Sequence, residues 1–201
     1  MYKTLIVTLI LTVLGSFALI AQPLEEQQNV VMEETIVTNH SEDGLSYMRE
    51  EEKLARDVYL ALYEKWGIRT FLNIAKAEQQ HMDTVGALLD ARGLDDPAKD
   101  AQAGVFQNSE LAKLYDELVA LGSVSAKDAF MVGAIIEDLD IYDLDQYLAQ
   151  TEDEAEIWVY TNLKRGSENH MRSFVRQLER YGTTYEARYI SSEELSSILR
   201  R

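Results

Sequence analysis

Carboxylate and imidazole side chains occur at helical spacing in this sequence, at positions where apolar residues are expected. Glu78 and His81 lie three residues apart and interrupt an apolar series that begins with Phe71 and Ile74 and continues at Val85. Residues three or four apart share one face of a helix, so this pair projects into the same buried volume. A buried charged group needs a partner, which a metal ion or an ion pair would supply.

Three other segments carry a similar interruption. Glu52 lies within the apolar series of LSYMREEEKLARDVYLALYEKW, and its neighbour Glu51 would face inward on a slightly rotated helix. Glu137 and Asp140 repeat the three-residue spacing further along the chain. His170 occupies a position where the helical period predicts an apolar residue. Each long helical segment therefore contributes at least one candidate ligand.

Together these positions offer carboxylate oxygens and imidazole nitrogens for a metal centre. The candidate ligands are Glu52, Glu78, His81, Glu137, Asp140 and His170. An oxygen-rich set with some nitrogen suits iron or manganese ions bridged by carboxylates. A set of buried ion pairs would instead need cationic partners on the inner faces, and the sequence offers few there. We therefore predict bound metal, with iron as the expected metal and manganese or a mixed pair as alternatives.

Cysteine content and net charge narrow the function classes. The chain contains no cysteine, which excludes disulfides, iron–sulfur clusters, thiolate zinc sites and covalently attached c-type haem. The formal net charge of −16 argues against nucleic acids and anionic membranes as partners, because both would repel such a surface. Any bound metal must therefore use oxygen and nitrogen ligands.

The composition favours an all-α protein. Only two prolines and ten glycines occur in 201 residues, and long stretches are rich in Leu, Ala and Glu. Four long helices and one short helix are predicted, followed by a terminal helix from Ser192. Short links join the first long helix to the second and the third to the fourth. The middle connection is longer and carries the short helix, which is typical of bundles with a crossover connection.

The start of the chain predicts export. Residues 1–21 combine Lys3 with an uninterrupted apolar run and end in small residues, as a secretory signal peptide does; an uncleaved membrane anchor is the alternative. Residues 22–43 are polar and acidic without sustained periodicity, which indicates a flexible spacer, and His40 within it is expected to be solvated. The folded domain is predicted to span 44–201. A periplasmic or secreted protein with no stable membrane span after signal cleavage is expected.

Several segments resemble proteins of a known class. EKLARDVY, at residues 52–59, resembles the E-x-x-A-x-x-x-Y opening of rubrerythrin-like proteins. EQQH, at residues 78–81, resembles their second-helix motif, and Glu137 with Asp140 resembles their third-helix carboxylate pair. With GSENHMRSF and RYISSEEL, these segments make the chain similar, over about residues 45–199, to an uncharacterised family of ferritin-like domains, a domain of unknown function.

This resemblance implies both a fold and a cofactor. The implied fold is a ferritin-like four-helix bundle with a short connector helix between the second and third long helices and a C-terminal helical tail. The implied cofactor is a carboxylate-bridged di-iron centre like that of rubrerythrin. Glu78 and Glu137 would bridge the two ions. Glu52 and Asp140 would be terminal ligands, and each histidine would bind one ion.

The fourth long helix departs from the pattern of the class. The expected motif is E-x-x-H, but Ser167 stands three residues before His170, and the neighbouring Glu168 is rotated by about 100° on the helix. Asp140 would compensate for the missing carboxylate and leave an open or water-filled coordination position. The departure also allows a mononuclear site or a mixed-metal pair.

The resemblance implies oxidoreductase chemistry, namely oxidation of ferrous iron or reduction of peroxide or oxygen. A non-catalytic metal-binding or storage bundle is the main alternative, and the sequence leaves open whether a substrate is turned over. A haem b bundle with Met48 and His170 as axial ligands would leave Glu78 and Asp140 without a role. An interaction domain without a cofactor, and assembly into a homodimer, also stay open.

Overall fold

The computed structural model describes residues 44–201; the predicted signal peptide, the spacer and His40 lie outside the described residues. Six helices and no strand occur between residues 44 and 201, which confirms the all-helical class. They are α1 (Gly44–Trp66), α2 (Arg69–Ala91), α3 (Ser109–Gly122), α4 (Ala126–Gln150), α5 (Glu154–Arg180) and α6 (Ser192–Leu199). Across this range, no helix combines the length and apolar character that crossing a membrane requires.

Local side-chain chemistry explains where several helices begin and end. Asn108 accepts hydrogen bonds from the first-turn N–H groups of α3, and Asp153, not Thr151, does the same for α5. Gly67 and Gly93 follow α1 and α2 with φ of 67° and 66°, a conformation that a residue without a Cβ adopts at little cost. These caps confine each helix to the segment that its periodicity predicts.

The long helices pack in two pairs. Helix α1 packs along α2 and α4 packs along α5, and the very short connections make each pair antiparallel. Between the pairs, α1 contacts α4 and α2 contacts α5. Helix α3 lies in the long connection and packs on α1 and α4, while α6 packs on α5. One face of every long helix is therefore turned towards a shared interior.

Apolar side chains fill this interior on both sides of an acidic layer. One cluster comprises Leu45, Met48, Val85, Leu89, Leu144, Tyr147, Val159, Tyr160 and Leu163. A second cluster is aromatic, with ring centroids 5.2 to 6.3 Å apart, and comprises Tyr59, Phe71, Phe130 and Phe174. Along α1, Glu52 lies between members of the two clusters, as Glu78 does along α2. The candidate ligands therefore lie in a water-poor layer between two apolar ones.

Buried carboxylates hold the non-helical parts of the chain. Glu50 accepts hydrogen bonds of 2.6 and 2.8 Å from two backbone N–H groups just before α3. Asp138 accepts hydrogen bonds from the Tyr185 hydroxyl at 2.6 Å and from the backbone N–H groups of Arg188 and Ile190 at 2.6 and 3.0 Å. Both carboxylates replace the solvent that the buried N–H and O–H groups have lost.

A buried ion pair on α1 departs from the expectation that cations are scarce inside. Lys53 has no exposed surface; its Nζ lies 2.6 Å from Asp57 Oδ2 and donates to the carbonyl oxygen of Gln102 at 2.8 Å. The same ammonium group lies 4.2 Å from the ring centroid of Phe106. Gln102 and Phe106 belong to the long connection, so Lys53 compensates Asp57 and holds the connection on a face of α1 that is about 100° from Glu52.

Candidate metal centre

The predicted ligands are withdrawn from solvent almost completely. Five are buried, with exposed fractions of 2% for Glu52, 1% for Glu78, 2% for Glu137, 5% for Asp140 and 9% for His170. The sixth, His81, exposes 15% of its side chain. Helices α1, α2, α4 and α5 each contribute at least one of them. Such a density of buried acids is costly unless cations compensate it.

Glu78 occupies the middle of the group. Its Oε2 lies 2.8 Å from Nδ1 of His81, and its Oε1 lies 2.8 Å from Nδ1 of His170. The two imidazole rings face each other with centroids 5.7 Å apart and an interplanar angle of 30°. One carboxylate thus presents one oxygen to each histidine, which is the arrangement that a carboxylate bridging two ions requires.

The first half of the centre consists of Glu52, Glu78 and His81. One ligand atom from each lies within 4.8 Å of the others, and Nδ1 of His81 is 3.1 Å from Oε2 of Glu52. Gly166 on α5 makes room for this histidine, because a Cβ at that position would lie 2.4 Å from Nε2 of His81. The absence of a side chain at Gly166 therefore lets the imidazole reach the carboxylates.

The second half consists of Glu78, Glu137 and His170, again with ligand atoms within 4.8 Å of one another. Nδ1 of His170 lies 3.5 Å from Oε2 of Glu137. The other oxygen of Glu137 accepts a hydrogen bond of 2.5 Å from the Tyr59 hydroxyl. Burial and the charge of Glu137 raise the pKa of Tyr59, so the hydroxyl stays protonated and orients this carboxylate.

Asp140 lies outside both halves. It is buried, its Oδ2 accepts a hydrogen bond from the Ser167 hydroxyl, and its Oδ1 has no hydrogen-bond partner. The structure therefore brings five of the six predicted residues into two metal-sized groups and places the sixth beside them. Ser167 stands where the motif of the resembling class has a glutamate, and its hydroxyl holds Asp140, the residue predicted to compensate for that missing carboxylate.

Several inward-facing atoms of the centre lack hydrogen bonds. Nδ1 of His170 and Oε1 of Glu78 lie 2.8 Å apart as an ion pair, and neither atom forms another hydrogen bond. Oε1 of Glu52 and Oδ1 of Asp140 are buried and unpartnered as well. Buried polar atoms are nearly always hydrogen-bonded in folded proteins. Lone pairs that converge without donors are the pattern expected of a ligand set, and this set fits one metal ion in each half.

The charges of neighbouring groups shift the pKa values of the two histidines and of Glu78. Burial lowers the pKa of His81, but Glu52 and Glu78 outweigh burial and raise it to about 12. Burial likewise opposes the increase in the pKa of His170, which Glu78 and Glu137 raise to about 10. Burial raises the pKa of Glu78, but the two histidines outweigh it and lower the value to about 2. Without metal, both imidazoles are protonated at neutral pH and act as counterions.

Two protonated histidines do not balance all the carboxylates. Burial and the charge of Glu78 raise the pKa of Glu137 to about 7. Burial, with the charges of Glu52 and Glu137, also raises the pKa of Asp140. Burial raises the pKa of Glu52 although His81 opposes it. The excess of carboxylates favours binding of more positive charge than two imidazolium groups provide.

Sequence periodicity missed part of this region. Glu51 was an alternative to Glu52, yet the structure buries both, and Glu51 belongs to neither half of the centre. Asp143 and Tyr47 lie close to Glu51 and were not predicted. The three-residue spacing from Asp140 to Asp143 was a usable signal, because it continues the acidic face of α4 by one turn.

Comparison with known proteins places the chain among relatives of unknown activity. The family model of the uncharacterized protein domain DUF2202 matches residues 41–201. The uncharacterized protein MJ0754 of Methanocaldococcus jannaschii is 50% identical over 163 residues, which cover 81% of this chain and 88% of the relative. The crystal structure of the hypothetical protein MJ0754 from Methanococcus jannaschii DSM 2661 matches with a TM-score of 0.79 at 50% identity, covering 82% of this chain and 94% of that one.

Proposed function

The chain belongs to the family of the uncharacterized protein domain DUF2202, and we propose that it binds two metal ions, preferentially iron, in a carboxylate-bridged centre. Glu52 and His81 would bind one ion, Glu137 and His170 the other, and Glu78 both. We further propose oxidoreductase chemistry at this centre, either oxidation of ferrous iron or reduction of peroxide or oxygen. The reasons are the donor set, its burial and its division into two halves.

The position of Glu78 carries the proposal. Its two oxygens lie at the same distance, 2.8 Å, from the Nδ1 atoms of two different histidines. An ordinary buried ion pair would join one carboxylate to one cation and satisfy its remaining oxygen with donors. Here the imidazole of His170 is the ion-pair partner of Oε1 of Glu78, and this oxygen has no other donor. A carboxylate shared by two ions explains both features.

The helix arrangement supports a ferritin-like bundle as part of the same proposal. Two antiparallel pairs, α1 with α2 and α4 with α5, are joined by a long connection that carries α3. In ferritin-like bundles a crossover of this kind separates two helix pairs, and inward-facing carboxylates and E-x-x-H pairs form the metal site. EQQH, at residues 78–81, stands in the corresponding place in α2.

The side chains around the centre would orient and shield it. Tyr59 fixes one oxygen of Glu137, and Ser167 fixes one oxygen of Asp140, whose other oxygen is left unpartnered. His81 and His170 expose 15% and 11% of their side chains, so small reactants would approach along the imidazole edge. When bound, a pair of iron ions would supply the exchange of electrons with oxygen or peroxide.

Metal analysis of the full chain tests the proposal. Anaerobic titration with ferrous iron should bind about two ions per chain in the proposed dinuclear centre. Mixing the loaded protein with oxygen or peroxide in a stopped-flow instrument should then produce ferric absorbance within seconds. Less than about half an equivalent of bound iron would refute the centre. Full binding without rapid oxidation would instead favour the non-catalytic storage alternative.

Two matched variants separate loss of ligands from loss of charge. Glu78→Gln keeps the side-chain shape but should abolish stable binding in both halves. Glu50→Gln removes the same charge from a carboxylate that is also buried but accepts backbone hydrogen bonds near α3. It should retain the iron content of the wild type. Equal iron loss in both variants would show that overall acidity, and not the geometry around Glu78, determines binding.

Export stays part of the proposal and rests on residues 1–21. Fractionation of a bacterial host that expresses the full chain should place the protein in the periplasm or the medium. N-terminal sequencing should show a new terminus near residue 19 or 22, as the small residues of the predicted cleavage region imply. Retention of an intact terminus in the membrane fraction would favour the uncleaved anchor.

A further inference from the structure

An apolar groove lies on the surface between α2 and α5, and we call it the α2–α5 groove. Its apolar lining consists of Ala87, Leu88 and Ala91 from α2 and of Ala155, Trp158 and Val159 from α5. Trp158 carries the bulkiest of these side chains, yet 63% of its surface is exposed. Half of the apolar positions are alanines, so there is room beside the indole for side chains of another molecule.

The shape of the groove suits a helix. The α2 residues that line it recur at the three-four spacing of one helical face between Asp83 and Ala91. They span about 12 Å at a rise of about 1.5 Å per residue, which matches about two turns of a partner helix. Apolar grooves between helices bind amphipathic helices in many complexes. Tryptophan is also enriched among the residues that contribute most to binding at protein interfaces.

The charges around the groove are acidic. Asp83 is the only charged side chain among the described residues that line it. Asp90 follows Asp83 by about two turns of α2, Glu154 precedes Trp158 by about one turn of α5, and both acids are exposed. Arg92, just after α2, is already paired with two carboxylates at the start of α5. The rim of the groove therefore attracts a basic surface and repels an acidic one.

This charge determines which occupant fits the groove. The formal net charge of the chain is −16, so a second copy would bring a strongly acidic surface to an acidic rim. An anionic membrane would be repelled for the same reason. A basic protein gains attraction from the rim and apolar burial against the indole of Trp158. The fitting partner is therefore a helix with an apolar stripe that lysine or arginine residues flank.

The groove extends to the exposed side of the candidate metal centre. Thr84, which lines the groove, follows His81 by about one turn of α2. On α5, Gly166 follows Val159 by about two turns, and it is the glycine that makes room for His81. His81 itself exposes 15% of its side chain. A protein bound in the groove would therefore lie next to the exposed edge of that imidazole.

The proposed reduction of peroxide needs a source of electrons. Conversion of one peroxide molecule into two water molecules consumes two electrons and two protons. The chain contains no cysteine, so it has no iron–sulfur centre of its own to deliver these electrons. The protons come from water, and the electrons come from a separate reductant.

We propose that the α2–α5 groove docks a basic electron-transfer protein, which lays an amphipathic helix with flanking lysine or arginine residues beside Trp158. Two successive one-electron transfers from the reduced redox group of this partner, with two protons from water, balance the reduction of one peroxide molecule. The role of the partner as electron donor rests on the proposed function. The docking of a basic helix in the groove does not.

Peptide binding to the metal-free full chain tests the docking. The probes are two fluorescently labelled helical peptides of equal length, one built from leucine and lysine and the other from leucine and glutamate. Fluorescence anisotropy should show binding of the lysine peptide and none of the glutamate peptide. Added salt should weaken the binding, because the rim charges are exposed and are screened by ions. Equal binding of the two peptides would overturn the proposal.

Matched variants locate the binding site. Trp158→Ser should weaken binding of the lysine peptide by about 10-fold or more. Val124→Ser, at an apolar residue that is 69% exposed in the link between α3 and α4, should keep the wild-type affinity. Asp83→Asn should weaken binding by about 2- to 5-fold, and Asp116→Asn, which removes the same charge from an exposed position of α3, should have a smaller effect. Circular dichroism confirms that each variant retains its helices.

Two results with these variants would refute the docking site. One is an equal affinity of the lysine peptide for the wild type and for Trp158→Ser. The other is an equal loss of affinity in Asp83→Asn and Asp116→Asn, which would show that overall acidity, and not the groove, binds the peptide.

A separate measurement tests electron delivery. Ferrocytochrome c, a basic haem protein, serves as the donor to iron-loaded protein in the presence of peroxide, and its oxidation is followed by absorbance. The rate per bound iron should fall by about 10-fold in Trp158→Ser and stay unchanged in Val124→Ser. Equal rates in the wild type and Trp158→Ser would refute delivery through the groove. If the wild type binds no iron, the dinuclear proposal fails, whereas the peptide titration still decides the docking.

Discussion

Two sets of buried acids in this protein differ in what faces them. Glu50, Asp57 and Asp138 accept hydrogen bonds from backbone N–H groups, a tyrosine hydroxyl or a lysine. Glu51 and Glu52, on the same helix as Glu50, carry buried oxygens with no hydrogen-bond donor. We call the first set the anchoring acids. The second set comprises buried acids of the interior with at least one oxygen that accepts no hydrogen bond, namely Glu51, Glu52, Glu78 and Asp140.

The two sets show that burial alone does not identify a ligand. Glu50, Glu51 and Glu52 are 3%, 2% and 2% exposed, and each points about 100° further around α1. Glu50 meets the connection before α3, Glu51 meets Asp143, and Glu52 meets His81. The supply of donors distinguishes a carboxylate that holds the chain from one that is available to a cation.

The largest effect on stability is expected at an anchoring acid. Asp138→Ala removes the acceptor of the Tyr185 hydroxyl and of the N–H groups of Arg188 and Ile190. Leaving several buried donors unpartnered should reduce the free energy of unfolding by about 3 kcal/mol or more. Urea unfolding of metal-free protein, followed by circular dichroism, measures this change. The metal content of the folded variant should match the wild type.

The paired variant is Asp140→Asn, two residues further along α4. Because Asp140 is buried among other carboxylates, losing its charge should change the free energy of unfolding of the metal-free protein by less than about 1 kcal/mol. Its metal affinity should fall instead. Similar unfolding data for Asp138→Ala and Asp140→Asn would contradict the division into two sets.

A smaller effect, confined to half of the centre, is expected from Gly166→Ala. The new Cβ would lie 2.4 Å from Nε2 of His81, so the ring must move away from Glu52 and Glu78. We expect about 10- to 100-fold weaker binding of one ion, with the ion at His170 retained. A metal titration should resolve the weakened step. Gly86→Ala is the control, since the atoms nearest to its Cβ would be those of the flexible Arg49 guanidinium, at 3.2 Å.

The response to pH should differ between metal-free and loaded protein. Burial and neighbouring carboxylates raise the pKa of Glu51 and Asp140, so their ionisation costs stability once the pH exceeds the unfolded value of about 4. The raised pKa of His81 and His170 contributes stability that is full below about pH 6.5 and is lost as the pH rises towards about 10 to 12. Both effects lower the free energy of unfolding as the pH rises.

The Tm of metal-free protein should therefore fall between about pH 5 and about pH 9, by about 5 °C. Metal-loaded protein should show no such decrease, because binding uses the deprotonated ligands. Differential scanning calorimetry of both forms in the same buffers measures the difference. The lowered pKa of Glu78 acts in the opposite direction but only below about pH 4.5, outside this range. Parallel curves for the two forms would argue against metal bound to these groups.

The smallest effect is expected from two substitutions at neighbouring positions, which should change the free energy of unfolding in opposite directions. Glu50→Gln weakens acceptance of two backbone hydrogen bonds and should lower the free energy of unfolding by about 1 kcal/mol. Glu51→Gln removes a buried charge that no donor compensates and should raise the free energy of unfolding of the metal-free protein by about 1 kcal/mol. Chemical unfolding of both variants at neutral pH tests the pair. A change of the free energy of unfolding in the same direction for both variants would refute the contrast between the two sets of acids.

The helical periodicity of apolar residues predicts much of the helical organisation and most of the site residues. The apolar stripe of α1 predicts that Glu52 faces inward, and the stripe of α2 predicts the same for Glu78; both are buried. The stripes did not predict that Glu50 and Asp138 are buried, since their partners come from the connection before α3 and from the tail after α5. Burial on those faces depends on segments that have no regular period.

The sequence by itself determined the all-helical class and the inward-facing positions of the predicted ligands, because helix formation and facing depend on neighbours within one or two turns. Only the tertiary structure decided which buried acids meet donors and which meet other acids. Periodicity favoured Glu52 over Glu51 as the inward-facing residue, yet both are buried, and packing brings Glu51 to Asp143 and Glu52 to His81. Those contacts join residues far apart in the chain, and the relative placement of whole helices determines them.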